Sequence, residues 1–274
     1  QGTCVAITFD PHPRQVIDGI QAPEILTTLA EKTWRMEMLG VDLLAIVPFT
    51  QSVRELSPQD FVHHFLVERL GSQSVILGYD HGFGKDRAGD LGTMTALGDQ
   101  FGFSVHSVPP TLVDGNPVSS TRIRTALTQG DLDGATQLIG GGYPFIGQVV
   151  KGEGRGKQLG FPTANLQVFN ELTPAVGVYV TQVQLDGAWI GSVTNIGFRP
   201  TLTPGTDPLP VVESHILDFN GNLYGQPLRL RFLKRLRPEE KFDNVEKLQH
   251  QVQRDIQNAR DYLKENDEDQ ARAG

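Results

Sequence analysis

The stretch Lys151–Leu166, KGEGRGKQLGFPTANL, limits what this chain can be more than any other. Four glycines (Gly152, Gly154, Gly156, Gly160) and three cations (Lys151, Arg155, Lys157) run into Pro162-Thr163-Ala164-Asn165. Glycine admits positive φ and lets backbone amides come close to an anion. Consecutive amides can then form a concave nest for phosphate, and the cations add fixed positive charge. Thr163 offers a hydroxyl oxygen and Asn165 an amide oxygen, hard ligands of the kind Mg²⁺ takes beside nucleotide phosphates. A surface loop leading into a strand has the same composition, so composition leaves both readings open. The spacing is neither the G-x-x-x-x-G-K-S/T of a P-loop nor a dinucleotide fingerprint.

Composition narrows the field. A chain of 274 residues suits one or two domains, and two fit better because the pattern changes near position 142. Its 32 acidic residues against 24 lysines and arginines give a net charge of −8, which argues against a general nucleic-acid binder. A single cysteine, Cys4, excludes an internal disulfide framework and suits a reducing cytoplasm. No apolar run reaches the roughly 20 residues of a membrane span. Gln1–Pro13 lacks the basic start and apolar core of a signal peptide. Oligomeric state is not fixed by any of this, and a homo-oligomer stays open.

Residues 1–141 alternate strand and helix patterns, which predicts an α/β domain with a mostly parallel sheet. Val5–Phe9 reads as a strand. Thr28 with Glu31 reads as a capping box, opening a helix that ends at Gly40. Leu43–Phe49, Val75–Leu77 and Phe103–Val108 read as strands, the apolar runs being those of strands buried on both faces. Ser57-Pro58 opens a helix whose stripe is Phe61, Val62, Phe65 and Leu66 and which stops at Gly71. Ligands of such sheets sit at the carboxyl ends of strands. Three loops are placed there: Asp10–Pro13, Gly78–Gly84 and Val118–Arg124. In the last, Ser120, Thr121 and Arg124 at a helix start suit phosphate, although an ordinary capped helix with a solvated arginine reads the same.

Gly140-Gly141-Gly142 separates that half from a segment of alternating strands: Phe145–Val150, Gly177–Leu185, Trp189–Val193, Val211–Leu217 and Leu228–Leu236. Asp186-Gly187 is a tight hairpin signal. Five or six antiparallel strands at this spacing predict a small closed barrel. Asp243 and Glu246 then cap a helix whose stripe, Val245, Leu248, Val252, Ile256, Ala259 and Leu263, packs on the barrel, with a polar end after Lys264 that frays. Arg229 and Arg231 alternate with Leu228, Leu230 and Phe232, and so read as the wet face of a strand rather than a nucleic-acid patch. Alternation places Glu213 opposite Val212 and Ser214, as an exposed position or a carboxylate at the barrel mouth. His215 shares its face and reads as a packed strand histidine.

The string LGFPTAN with its glycine-rich approach resembles the signature of riboflavin kinases. TFDPHP, GYDHGFG and SSTRIR resemble the adenylyltransferase half of bacterial bifunctional riboflavin kinase/FAD synthetases. The resemblance implies a nucleotidyltransferase-like α/β domain followed by a six-stranded Greek-key barrel with a C-terminal helix. It implies FMN adenylyltransferase activity in residues 1–141 and riboflavin kinase activity in 142–274, with riboflavin, FMN and ATP as substrates and Mg²⁺ as cofactor. Glu213, in an E-S/T-H-I string, is matched to the kinase base. Asp80 is matched to the adenine or flavin, and Arg237 and Phe242, in RPEEKFD, to the flavin site. Asn195–Thr201 resembles the NIGxRPT loop. One motif of that family, G-x-F-D-G-x-H-x-G-H, is not in this sequence. Either the chain begins after that segment, as its opening close to a strand suggests, or the first module does not adenylylate. A kinase alone, or a flavin- or nucleotide-binding regulator with a degenerate first domain, are the alternatives.

Overall fold

The computed structural model describes residues 2–17, 23–152, 154, 156, 159–198 and 210–273, with side chains as far as 266. Arg155, Lys157 and Arg199–Thr201 lie outside the described residues. The chain packs as two units, one of residues 1–23 and 32–118, the other of residues 24–31 and 119–274.

In the first unit β1 (Val5–Asp10) pairs in parallel with β2 (Leu43–Pro48), and β3 (Ser74–Gly78) with β4 (Ser104–Val108). The helices are α1 (Pro13–Val16), α2 (Leu29–Met38, of which residues up to Glu31 group with the second unit), α3 (Gln51–Arg54), α4 (Pro58–Phe61) and α5 (Leu91–Phe101). As expected, Ser57 caps α4 by accepting from Asp60 N at 3.1 Å, and Pro58 opens it. The helix continues as a π-helical segment, Val62–Arg69, and Phe61, Val62, Phe65 and Leu66 fill the core with Leu77, Met94 and Phe103. The parallel α/β character holds, but burial on both strand faces does not. Leu43, Ile46 and Ile76 are 48, 45 and 69% exposed, and Val108 is exposed too. Each described parallel sheet has two strands, and its apolar contacts gather on the side where the core side chains lie, leaving the alternate positions uncovered.

A short antiparallel pair, β5 (Leu112–Val113) and β6 (Asn116–Pro117), leads to α6 (Ser120–Gln129) and α7 (Leu132–Ile139). These two helices pack with the second unit: Leu127, Leu132 and Ala135 join the barrel core. The third expected ligand loop therefore groups with the second unit and not with the strands of the first.

The second unit is a closed six-stranded barrel of β7 (Tyr143–Val150), β8 (Ala164–Val168), β9 (Gly177–Leu185), β10 (Ala188–Phe198), β11 (Pro210–Ile216) and β12 (Pro227–Arg237). Its order, β10-β11-β8-β7-β12-β9, is antiparallel at every seam, and the connections from β8 to β9 and from β11 to β12 skip neighbours as a Greek key requires. Asp186 and Gly187 both take positive φ, the two-residue turn expected between β9 and β10. Inside, the ring of Phe232 meets Phe145 and Tyr179 edge-on at 5.3 and 5.2 Å. Outside, Val178, Val180 and Val193 are covered by Ala259, Ile256 and Leu263 of α8 (Val245–Ala273).

Four local expectations are corrected. The cap of α8 is Asn244, whose Oδ1 accepts from Lys247 N at 2.9 Å, while Asp243 pairs with Lys247 at 2.6 Å. Val245 is exposed, because it precedes the first turn that reaches the barrel, and the polar end stays helical to Ala273, as its alanine, glutamate and lysine favour. Arg229 and Arg231 do face outward but are half-buried: Arg229 Nη1 donates to Gln184 at 2.8 Å and lies 3.4 Å from Glu31, and Arg231 donates to Gln182 at 2.6 Å and stacks on Trp189. Cross-strand glutamines and a neighbouring ring use the guanidinium donors that a wet face would leave to solvent.

Candidate active site

A cavity of about 440 Å³ in the barrel unit brings together Gly152, Gly154, Thr163 and Asn165. Its far wall is the turn Phe219–Tyr224, and Ser214 and Ile216 of β11 close it. The Pro-Thr-Ala-Asn box is not wholly a loop: Ala164 starts β8, so Asn165 sits between Val150 of β7 and Glu213 of β11.

Several contacts fix this corner. A Cβ on Gly152 would lie 2.3–2.5 Å from the Asn165 carboxamide, so only glycine allows β7 and β8 to meet as they do. A Cβ on Gly156 would meet the Phe161 carbonyl at 2.5 Å and Thr163 Oγ1 at 3.1 Å, and Phe161 N donates back to Gly156 O at 2.8 Å. Gly154 and Gly160 take φ of +74° and +87°, where a side chain is strained. His215 Nδ1 lies 2.8 Å from the Pro162 carbonyl and its ring meets Phe161 edge-on. The histidine is packed, as its sequence context suggests, and it holds the start of the box.

Asn165 is 8% exposed, and its Oδ1 has no hydrogen-bond partner among the described residues. An orphaned buried acceptor is rare, because leaving one unmet costs about 1–3 kcal/mol. Directly across the seam, Glu213 projects on the same outer face, with Asn195 beyond it. Residues so paired hold their Cβ atoms about 4.5–5.5 Å apart. Val212, Ser214 and Ile216 are buried inside while Glu213 and His215 are half-buried outside, which is the alternation read from the sequence.

The other described candidates are not among the residues that line this cavity. Arg237 is bound to Asp255 of α8 through Nε at 3.1 Å and Nη2 at 2.8 Å, and its guanidinium lies 5.8 Å from the Phe242 ring centre. Ser120 and Thr121 are exposed at the start of α6, where Ser119 is the cap, and Arg124 Nε donates to the Glu24 carbonyl at 2.7 Å. Asp80 belongs to the first unit, exposed, with its carbonyl accepting from Arg87. In the same unit burial, then the nearby Arg87, holds the His81 imidazole below its usual range. Burial also lowers the ammonium of Lys32, which donates to Thr8 at 2.8 Å, against the pull of Asp10.

Sequence reasoning missed the Phe219–Tyr224 wall, because the short turn-prone Asn-Gly pair in it carries no ligand signal of its own. It also missed Asp255, a buried charge lying among the polar positions of a helix, and Glu31, read as a cap residue. Glu31 N does donate to the Thr28 cap, at 3.1 Å from its Oγ1, but the Glu31 side chain is buried in the barrel unit.

A riboflavin kinase family model matches residues 139–263, and an FAD synthetase model matches residues 1–122. A bifunctional riboflavin kinase/FMN adenylyltransferase from Listeria monocytogenes is 37% identical over 94% of this chain and 81% of its own length. One of the same description from Pseudomonas fluorescens is 39% identical, covering 94% of this chain and 82% of its own length. A solved structure described as a macrolide-efflux protein from Streptococcus pneumoniae superposes with a TM-score of 0.84 at 28% identity, covering 94% of this chain and 83% of that one. No described helix of the present chain is long and apolar enough to cross a membrane. The chain belongs to the family of bifunctional riboflavin kinase/FMN adenylyltransferases.

Proposed function

We propose that this chain phosphorylates riboflavin to FMN in residues 142–274 and adenylylates FMN to FAD through residues 1–141. The observation that carries the kinase assignment is the buried Asn165 Oδ1, without a partner among the described residues and set in a cavity between a glycine-rich approach and the Thr163 hydroxyl, with Glu213 across the seam. Gly152, Gly154, Gly156 and Gly160, with Arg155 and Lys157, take the ATP phosphates. Thr163 and Asn165 fit a magnesium ion, since both present hard oxygens and one of these is orphaned. When bound, the ion supplies positive charge against the phosphate oxygens.

Glu213 is the general base. Its carboxylate takes the proton of the ribityl 5′-hydroxyl as that oxygen bonds to the γ-phosphorus; the bond to the bridging oxygen breaks and ADP leaves. Arg237 and Phe242 border the flavin, with Arg237 held in place by Asp255. In the adenylyl transfer the FMN phosphate attacks the α-phosphorus of ATP and pyrophosphate departs, with Ser120, Thr121 and Arg124 on phosphate and Asp80 near the adenine or flavin. The surroundings are those of a cytoplasmic enzyme on small molecules, with no nucleic-acid partner, an assignment supported by the −8 charge and the single free, exposed Cys4.

Incubating the chain with riboflavin, ATP and Mg²⁺ and separating the flavins tests both assignments. FMN with FAD is the expected result. FMN without FAD would confine activity to the barrel unit, and flavin binding without ATP consumption would leave only a binding protein.

A further inference from the structure

Among the described residues, four small hydroxyl side chains form a row inside the largely apolar barrel. Thr181, Ser192, Thr194 and Ser214 all point inward and are completely buried. Ser192 sits opposite Thr181 and Thr194 opposite Ser214 across neighbouring seams. Their oxygens form a chain: Ser192 to Thr181 at 2.7 Å, Thr181 to Thr194 at 2.6 Å, Thr194 to Ser214 at 3.0 Å.

Counting protons gives this chain a direction. Thr194 donates to Ser214 Oγ, which uses its one proton. Thr181 has two acceptors in reach, the Ser192 carbonyl at 3.3 Å and Thr194 Oγ1 at 2.6 Å; with the Thr194 proton already used, the shorter contact takes the Thr181 proton, and the 2.7 Å contact between Ser192 and Thr181 is donated by Ser192. Three protons point toward Ser214, and the fourth, its own, has no acceptor among the described residues. Ser214 forms part of the cavity wall, and the residue opposite it on β8 is the small Ala164. Hydrogen bonds in a chain polarise one another, so the last donor is the strongest. A strong buried donor without an acceptor is matched best by an anionic oxygen.

We propose that Ser214 contacts a phosphate oxygen of the nucleotide in this cavity, and that Thr194, Thr181 and Ser192 are positioning residues that fix its proton toward the ligand. The inference rests on the nucleotide reading of the cavity given above.

The test is calorimetric titration of the full chain with Mg²⁺-ADP and, separately, with adenosine. S214A should weaken ADP by roughly tenfold or more, as loss of a hydrogen bond to a charged group does, and leave adenosine nearly unchanged. S214T, which keeps the hydroxyl, should restore ADP binding. T194V, which keeps the shape and removes the polarising donor, should weaken ADP by a smaller factor. If S214A does not fold, T194V and S214T carry the test. ADP binding that is unaltered in S214A and T194V, or adenosine weakened as much as ADP, would overturn the inference while leaving the nucleotide site standing. A wild-type chain that does not bind ADP would sink the nucleotide reading as well.

Discussion

Glu213 is the proposed base of the kinase reaction, and its place follows from strand alternation. With Val212 and Ser214 inside, it must face outward beside Asn165. Replacing it by glutamine keeps its shape and removes the base. Glu213→Gln should lower turnover by about 10²–10⁴-fold while ADP affinity stays near wild type. Comparable losses in both would make it a structural residue. Tyr143 gives a second prediction at this scale. Burial raises its phenol well above the ordinary range, and its hydroxyl lies 3.0 and 3.1 Å from the carbonyls of Leu26 and Leu172. A raised folded-state value means that its stabilisation is complete below the unfolded value of about 10 and is lost as pH climbs beyond it. Melting temperatures measured from pH 9 to 11 should therefore fall more steeply for the wild type than for Tyr143→Phe.

At the scale of elements, α8 is held to the barrel by more than its apolar stripe. Asp255, 2% exposed, takes three hydrogen bonds from the Arg237 guanidinium, two from Nε and one from Nη2, and one from Gln251 at 2.9 Å. Removing one partner of a buried pair leaves an uncompensated charge, which costs about 3–5 kcal/mol. Asp255→Ala should lower stability by that amount in urea titrations, and should also weaken flavin binding if Arg237 borders the flavin. The stripe of α8 was legible because a period near 3.6 is a property of the chain alone. Asp255 was not, since a buried aspartate and an exposed one look alike until the strand supplying Arg237 is in place. Likewise β8 was hidden in a motif that reads as a loop, because its pairing partners β7 and β11 lie far from it in sequence.

For the whole molecule, packing and sequence pattern divide the chain at different places. The pattern changes at the glycines near 142, yet α6 and α7 bury Leu127, Leu132 and Ala135 in the barrel core. A chain beginning at Gly142 would expose that contact surface, so it should melt lower than one beginning at Ser119, and equal melting temperatures would show that the two helices are dispensable. Segment 24–31 is tied to the same unit, through Ile25 N to Glu171 at 2.9 Å and through Glu31 to Arg229.

By itself the sequence determined the strand alternation, the helix stripes, the Asp186-Gly187 turn and the glycine-rich approach to Thr163 and Asn165, for each of these is set by neighbours a few residues away. Tertiary structure alone decided that Asn165 is buried with no partner for its acceptor among the described residues, that Arg237 is claimed by Asp255, that β2 and β3 have exposed apolar positions, and that four hydroxyls line up inside the barrel. Those outcomes depend on which distant strands become neighbours, and burial and hydrogen bonding are properties of that juxtaposition.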